Sequence, residues 1–180
     1  MPRLLLLRHA KSAWDDPGLA DFDRPLNPRG RRSAPLMGRH MAEHALLPDR
    51  VLCSTSRRTR ETFAGLLPFF THELDVQFSR ALYDSTPQDY VDLIRTAGES
   101  ARTLLVIGHN PTMRTLTLGL TGAGNPALLA EVEAGFPTGG LAVIDFPERV
   151  WSGIRPEGGR IVAFFRPREL ESVVTEGALP

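Results

Sequence analysis

The sequence predicts an α/β layered fold on a largely parallel sheet, and three observations carry that expectation. Short apolar runs alternate with helix-period segments along most of the 180 residues. The two clearest runs, residues 3–7 and 103–107, are continuous rather than alternating, as in strands covered on both faces. The last two strand candidates, residues 140–146 and 160–165, have no helix between them, which predicts an antiparallel pair at one side.

Each element has a local reason. Residues 14–27 are rich in Asp, Pro and Gly and read as a loop. Residues 28–47 read as a helix, with Asn27 as N-cap, Pro28 at the first helical position, and Ala34, Met37, Met41 and Ala45 along one face. Pro35 falls inside that helix and should kink it or shift its start. A short strand is expected over residues 50–53. A helix follows over residues 54–70, capped by Ser54 or Ser56, and then a strand over residues 75–78. Thr86 and Pro87 open a helix over residues 86–97. Asn110-Pro111 starts another that runs to Gly119, and residues 122–126 read as a loop. Residues 167–180 read as a tail with a short helix. No repeat or linker divides the chain, so one domain over residues 1–180 is expected.

Composition narrows the function classes. Lys and Arg total 21 against 21 Asp and Glu, which argues against a polybasic nucleic-acid binder. Hydrophobic residues make up 42% and charged residues 23%, the balance of a globular chain. The single cysteine, Cys53, allows no internal disulfide. No apolar run approaches the roughly 18–20 residues of a membrane helix. The run Leu4-Leu5-Leu6-Leu7 ends at Arg8-His9, well short of the about 7–15 apolar residues of a secretory leader. A cytoplasmic protein is expected.

In open α/β sheets, ligands bind at the carboxyl ends of the strands. Strand one ends in Arg8-His9, strand two in Cys53-Ser54 followed by Arg57-Arg58, and the 103–107 strand in Gly108-His109-Asn110-Pro111. Parallel strands bring these ends to one rim, with two histidines and at least two arginines beside helix N-termini that favour anions. The natural anion is a phosphoryl group, which arginine binds bidentately. Each motif alone would be an ordinary solvated strand end, turn or helix face; their joint appearance makes a site. His40 and His44 have i,i+4 spacing but not the His-Glu-x-x-His order, and read as a solvated pair rather than a metal site. His72 and Cys53 read as structural.

These motifs resemble the histidine phosphatase superfamily. Leu-Leu-Arg8-His9-Ala10-Lys11-Ser12 is similar to its first motif, and Ser54-Thr55-Ser56-Arg57-Arg58-Thr59-Arg60-Glu61-Thr62 is a variant of its second, with Arg58 at the arginine position. Val106-Ile107-Gly108-His109-Asn110 matches its second histidine. Asp23-Arg24-Pro25-Leu26-Asn27-Pro28-Arg29-Gly30, Phe136-Pro137-Thr138-Gly139 and Pro167-Arg168-Glu169-Leu170 are similar to segments of the short SixA-type phosphohistidine phosphatase branch. The resemblance implies a three-layer phosphoglycerate mutase-like sandwich, with a mostly parallel mixed sheet and no helical cap domain. Two departures stand out. Asp15 lies seven residues after Arg8, where the mutase-like branch has an Asn. Leu82-Tyr83-Asp84 offers Asp84 where many members have a donor Glu.

By this resemblance His9 is the nucleophile, kept neutral by the charges of Arg8 and Arg58. Arg8, Arg58 and His109 bind the phosphoryl oxygens and stabilise the transition state, Ser12 adds a phosphate contact, and Asp84 is the candidate proton donor. No metal or other cofactor is expected. The implied function is a metal-independent phosphatase with a covalent phosphohistidine intermediate, acting on a phosphohistidine-bearing protein and releasing inorganic phosphate, with no nucleic-acid or membrane partner. A phosphomonoesterase on a small phosphoester is the alternative, and a catalytically silent phosphate-binding module a third. The acidic loop holding Asp15, Asp16, Asp21 and Asp23 reads as solvated, or else as a rim that contacts a protein partner with Trp14 as an apolar anchor.

Overall fold

A computed structural model describes residues 1–84, 86–99 and 101–176, with side chains to residue 171. The elements run β1 (Arg3–Arg8), α1 (Pro28–Glu43), β2 (Arg50–Ser54), α2 (Arg57–Leu66), β3 (Asp75–Ser79), α3 (Ala81–Asp84), α4 (Pro87–Ala97), β4 (Thr103–Gly108), α5 (Thr112–Leu120), β5 (Thr121–Gly124), α6 (Pro126–Ala134), β6 (Leu141–Asp145), β7 (Gly159–Phe165) and α7 (Pro167–Glu176). One sheet of seven strands has the order β3-β2-β4-β1-β6-β7-β5. Only β6 runs against its neighbours, antiparallel to both β1 and β7, while β1, β4, β2 and β3 pair in parallel. The mostly parallel mixed sheet expected from the sequence is therefore the sheet observed.

The continuous apolar strands sit where such runs belong, at the centre of the sheet with both faces covered. Side chains alternate along β1, so Leu4 and Leu6 join Tyr90 and Ile94 of α4 and Met113 and Leu116 of α5 on one face. Leu5 and Leu7 face the other way, onto Met37 and Met41 of α1 and Phe63 and Leu66 of α2. All four leucines are fully buried, each worth roughly 1.5–3 kcal/mol of transfer free energy. Helix, sheet and helix make three layers, and no helical cap domain stands over the sheet among the described residues. No described helix is long and apolar enough to cross a membrane.

The caps at the site-bearing ends form as expected. Asn27 accepts from the Gly30 N–H, and Thr86 and Asp89 complete a capping box. Pro35 lies inside α1 without ending it. Four expectations need correction. Residues 122–126 are not all loop, because Thr121–Gly124 adds an edge strand parallel to β7; a Thr-Gly-Ala-Gly run has little strand propensity of its own, and tertiary pairing makes it one. The helix α6 that follows, capped by Asn125, was not expected, since its apolar residues show no helical period. Residues 54–70 are not one helix: α2 starts at Arg57 and ends at Leu66, and a 3₁₀ turn follows over Leu67–Phe69. Residues 28–47 are not all helix either: α1 ends at Glu43, and Ala45 lies beyond it with φ 54°. The final helix α7 is present to Glu176, and residues 177–180 of the expected tail lie outside the described residues.

Candidate active site

Strand register assembles the site. β1 and β4 pair in parallel with Arg8 opposite Gly108, so the next residues, His9 and His109, leave the sheet side by side. Their ring centroids are 5.3 Å apart. β2 lies on the other side of β4, with Cys53 opposite Ile107, which brings Ser54 beside His109. The first turn of α2 then delivers Arg58. Thr62 holds the arrangement from below: its hydroxyl accepts from the Ala10 N–H at 3.0 Å and donates to the Arg58 carbonyl at 2.6 Å. The second motif thereby fixes the loop that carries the first. On the opposite wall, Gly139 (φ +75°) directs its N–H at the carbonyls of Arg8 and His9, and a Cβ there would stand 2.8 Å from Pro167.

His9 is buried, and its Nδ1 lies 2.7 Å from the Ala10 carbonyl. A carbonyl only accepts, so Nδ1 carries the proton and the lone pair is on Nε2. Burial holds the imidazole down to about 3, with the positive charges of Arg58 and Arg8 adding to the effect. The ring is neutral as expected, but desolvation outranks the charge repulsion that the sequence suggested. His109 is also held at about 3, by burial first and then Arg58. Its Nδ1 lies 3.4 Å from the Arg58 Nη2, which can only donate; its Nε2 therefore bears the proton and donates to the Ser54 hydroxyl at 2.9 Å.

Asp21, read from the sequence as a solvated loop residue, is the organiser of this wall. Its carboxylate accepts from Arg58 at 3.0 Å, from Arg24 at 2.7 Å and from the Tyr83 hydroxyl at 2.7 Å, and its carbonyl accepts from Arg58 at 2.5 Å. Burial would raise its pKa, but the bonds from Tyr83 and Arg24 and the charge of Arg58 outweigh that and hold it at about 2. Tyr83 also sets its ring edge-on to His109, with centroids 5.4 Å apart. Arg24 is buried beneath the Trp14 ring, 3.2 Å from its centroid, so the exposed Trp14 covers a cation. No short motif marks Asp21, and Arg24 lies within the family-like segment of residues 23–30 with no role implied for it; the one available signal for Asp21 was an acidic residue in a loop leaving a strand that ends in an arginine.

Arg8 donates from Nη1 to the Phe136 carbonyl at 2.8 Å, which Asn110 also reaches at 3.0 Å. The Arg8 Nε and the Asn110 Oδ1 are buried without a partner. Burial, and then Arg58, lower the Arg8 pKa. Two cations and two neutral imidazoles thus converge on one point, a set suited to an in-line attack on phosphorus.

Two other candidates are placed differently. Ser12 is buried, with its oxygen accepting from Arg24 at 2.6 Å, so it is tied to the loop wall. The structure does not bring Asp84 to the cluster: its exposed carboxylate pairs with Arg80 at 3.3 Å. The member of that turn facing His109 is Tyr83. Asp15 is exposed. His40 and His44 are not simply solvated, because both rings contact Phe165. No described group of three or more His, Cys, Asp or Glu is positioned to hold a metal. His72 contacts the Pro48 carbonyl, and burial pushes the Cys53 thiol up to about 12, both structural placements.

Comparison with known proteins agrees with this geometry. The family model described as histidine phosphatase superfamily (branch 1) matches residues 4–86. An uncharacterised protein of Mycobacterium tuberculosis is 38% identical over 166 residues, covering 90% of this chain and 100% of its own length. The solved structure assigned as phosphohistidine phosphatase SixA from Agrobacterium tumefaciens is 34% identical, with TM-score 0.78 over 93% of this chain and 99% of its own. A SixA structure with tungstate bound, 20% identical, shares the fold with TM-score 0.75, covering 93% of this chain and 99% of its own. With both histidines and both motif arginines at one sheet rim, and with these relatives, the chain belongs to the histidine phosphatase superfamily, as a hydrolase of its SixA-type branch.

Proposed function

We propose that this phosphatase acts on phosphohistidine carried by a protein, through a covalent intermediate on His9 and without a metal. The Nε2 lone pair of neutral His9 attacks phosphorus, and the bond to the substrate imidazole breaks. Arg8 and Arg58 bind the equatorial oxygens and stabilise the charge that spreads over them. A phosphoryl dianion beside His109 offsets the repulsion from Arg58, so the His109 Nδ1 takes up a proton and donates to the phosphoryl group. Water then attacks phosphorus and gives up a proton to solvent, the bond to His9 breaks with the lone pair returning to Nε2, and inorganic phosphate leaves.

One observation carries the substrate class: among the described residues, the cluster contains no carboxylic acid able to protonate a poor leaving group. Asp21 is held ionised, with its pKa at about 2, and Asp84 turns out to Arg80. Tyr83 donates to Asp21, and burial and that carboxylate raise its pKa, which makes it a weak acid at neutral pH. An alkoxide needs such a donor, whereas an imidazole takes a proton readily. The 34% identical relative assigned as a phosphohistidine phosphatase supports the same substrate. The arginines supply the positive charge that a metal provides elsewhere.

The test is a substrate panel of phosphohistidine peptides, phosphoramidate, p-nitrophenyl phosphate, sugar phosphates and nucleotides. Phosphorus–nitrogen substrates should exceed alkyl phosphates in kcat/KM by at least about 10²-fold, and EDTA should leave the rate unchanged. A sugar phosphate or nucleotide turned over as well as phosphohistidine would make the enzyme a metabolite phosphomonoesterase. Loss of activity in EDTA with recovery on added metal would overturn metal independence.

A further inference from the structure

A cleft of about 960 Å³ opens beside Arg8, bounded by the loop after β1, the first turns of α1 and α7, and the end of α6. The reaction uses none of it beyond Arg8 itself. Its cations fall into two groups. Arg166 is committed to Glu131 and Glu169, and Arg114 donates to the carbonyls of Val132 and Glu133. Lys11, Arg29 and Arg168 also line the cleft, are exposed, and have no carboxylate partner among the described residues. The lining carries six cations, Arg8, Lys11, Arg29, Arg114, Arg166 and Arg168, against three glutamates, Glu131, Glu133 and Glu169, so this wall is locally positive in a chain of formal charge +0. Two of the lining residues, Arg8 and Asn110, also hold buried unpartnered atoms, the Arg8 Nε and the Asn110 Oδ1.

We infer that this cleft is a docking subsite for acidic side chains that flank the phosphohistidine of a protein partner, with Lys11, Arg29 and Arg168 as their contacts. Charge complementarity selects the occupant. Small-molecule pockets are mostly apolar and enclose their ligand. This cleft is open, lined by long charged side chains from four separate elements, and retains negative groups such as Glu133 that would work against a compact polyanion. A protein surface can set its carboxylates against the three cations and avoid the glutamates. None of Asp15, Asp16, Asp21 and Asp23 lines this cleft, and Asp21 is held instead among Arg24, Arg58 and Tyr83, so the cleft side is the one that favours acid. The subsite rests on the phosphoprotein reading given above.

The test uses phosphohistidine peptides with Glu, Ser or Lys on the N-terminal or C-terminal side, the wild-type enzyme, and an R29E/R168E variant. Both substituted positions are exposed, and circular dichroism checks that the variant is folded. The wild type should prefer one acidic-flank peptide over its neutral counterpart by about tenfold in kcat/KM, and the preference should shrink in high salt. In the variant the preference should pass to the lysine-flank peptide, while phosphoramidate, which has no flank, is still turned over. Equal turnover of all flanks by the wild type would overturn the subsite and leave the phosphoprotein reading standing. No turnover of any phosphohistidine peptide, with alkyl phosphates hydrolysed, would overturn both. A small bisphosphate that outcompetes every peptide, and loses that advantage in the variant, would assign the cleft to a metabolite instead.

Discussion

The two walls flanking His9 use the same residue type in opposite ways. On the wall formed by residues 21–24 and the start of α2, both arginines are closed into a network: Arg24 and Arg58 share the Asp21 carboxylate, and Tyr83 joins it. On the wall formed by Lys11 and the starts of α1 and α7, Lys11, Arg29 and Arg168 have no such partner among the described residues. A buried cation without a partner is costly, so Arg24 and Arg58 need Asp21, and what remains of their charge is held in one geometry. An exposed cation pays no such penalty and keeps its field for an incoming anion. One wall therefore sets the geometry of the chemistry, and the other selects what comes to it.

The largest effect should come from removing a cation on the paired wall. Arg58→Ala should lower kcat/KM by about 10²–10³, measured with phosphoramidate, because the lost donor acts in the transition state. Next comes its anchor. Asp21→Ala should reduce kcat by about ten- to hundredfold as Arg58 loses its orientation, while KM stays level because a negative charge has left the site mouth. A fall in kcat/KM driven wholly by KM would make Asp21 a substrate contact and not an anchor.

Acid should act on the same cluster. His9 and His109 are held at about 3, below the unfolded value of 6.5. Between those values the unfolded chain binds more protons, so stability must rise with pH there and fall as pH drops from 6.5 toward 3. The pair should contribute about two protons to that slope in urea titrations, and neither ring should titrate by NMR between pH 8 and 5 in the free enzyme. A histidine that titrates near 6.5 would contradict the buried, neutral site. Smallest of all, Asp84→Asn should change the rate on any substrate by less than about twofold, as expected for an exposed pair with Arg80.

The legible parts of this molecule are those whose reasons are local. Leu4–Leu7 and the residue 103–107 run announced buried strands, Asn27-Pro28 and Thr86-Pro87 announced helix starts, and Arg8-His9, Arg58 and His109 stood at strand ends where parallel pairing gathers them. What was illegible depends on partners distant in sequence. Asp21 reads as solvated until Arg58, 37 positions on, and Tyr83, 62 positions on, close over it. The Thr121–Gly124 strand exists only because β7 pairs with it. Asp84 and Tyr83 are adjacent, and spacing alone could not show that the short helix α3 turns the aspartate to Arg80 and the tyrosine to His109.

The most direct test of the account is to trap the intermediate. The enzyme reacts briefly with phosphorus-labelled phosphoramidate and is denatured in alkali, then digested and mapped. The account predicts acid-labile, alkali-stable phosphate on the peptide containing His9, and neither label nor turnover in His9→Ala. Label on His109, or normal turnover by His9→Ala, would contradict it.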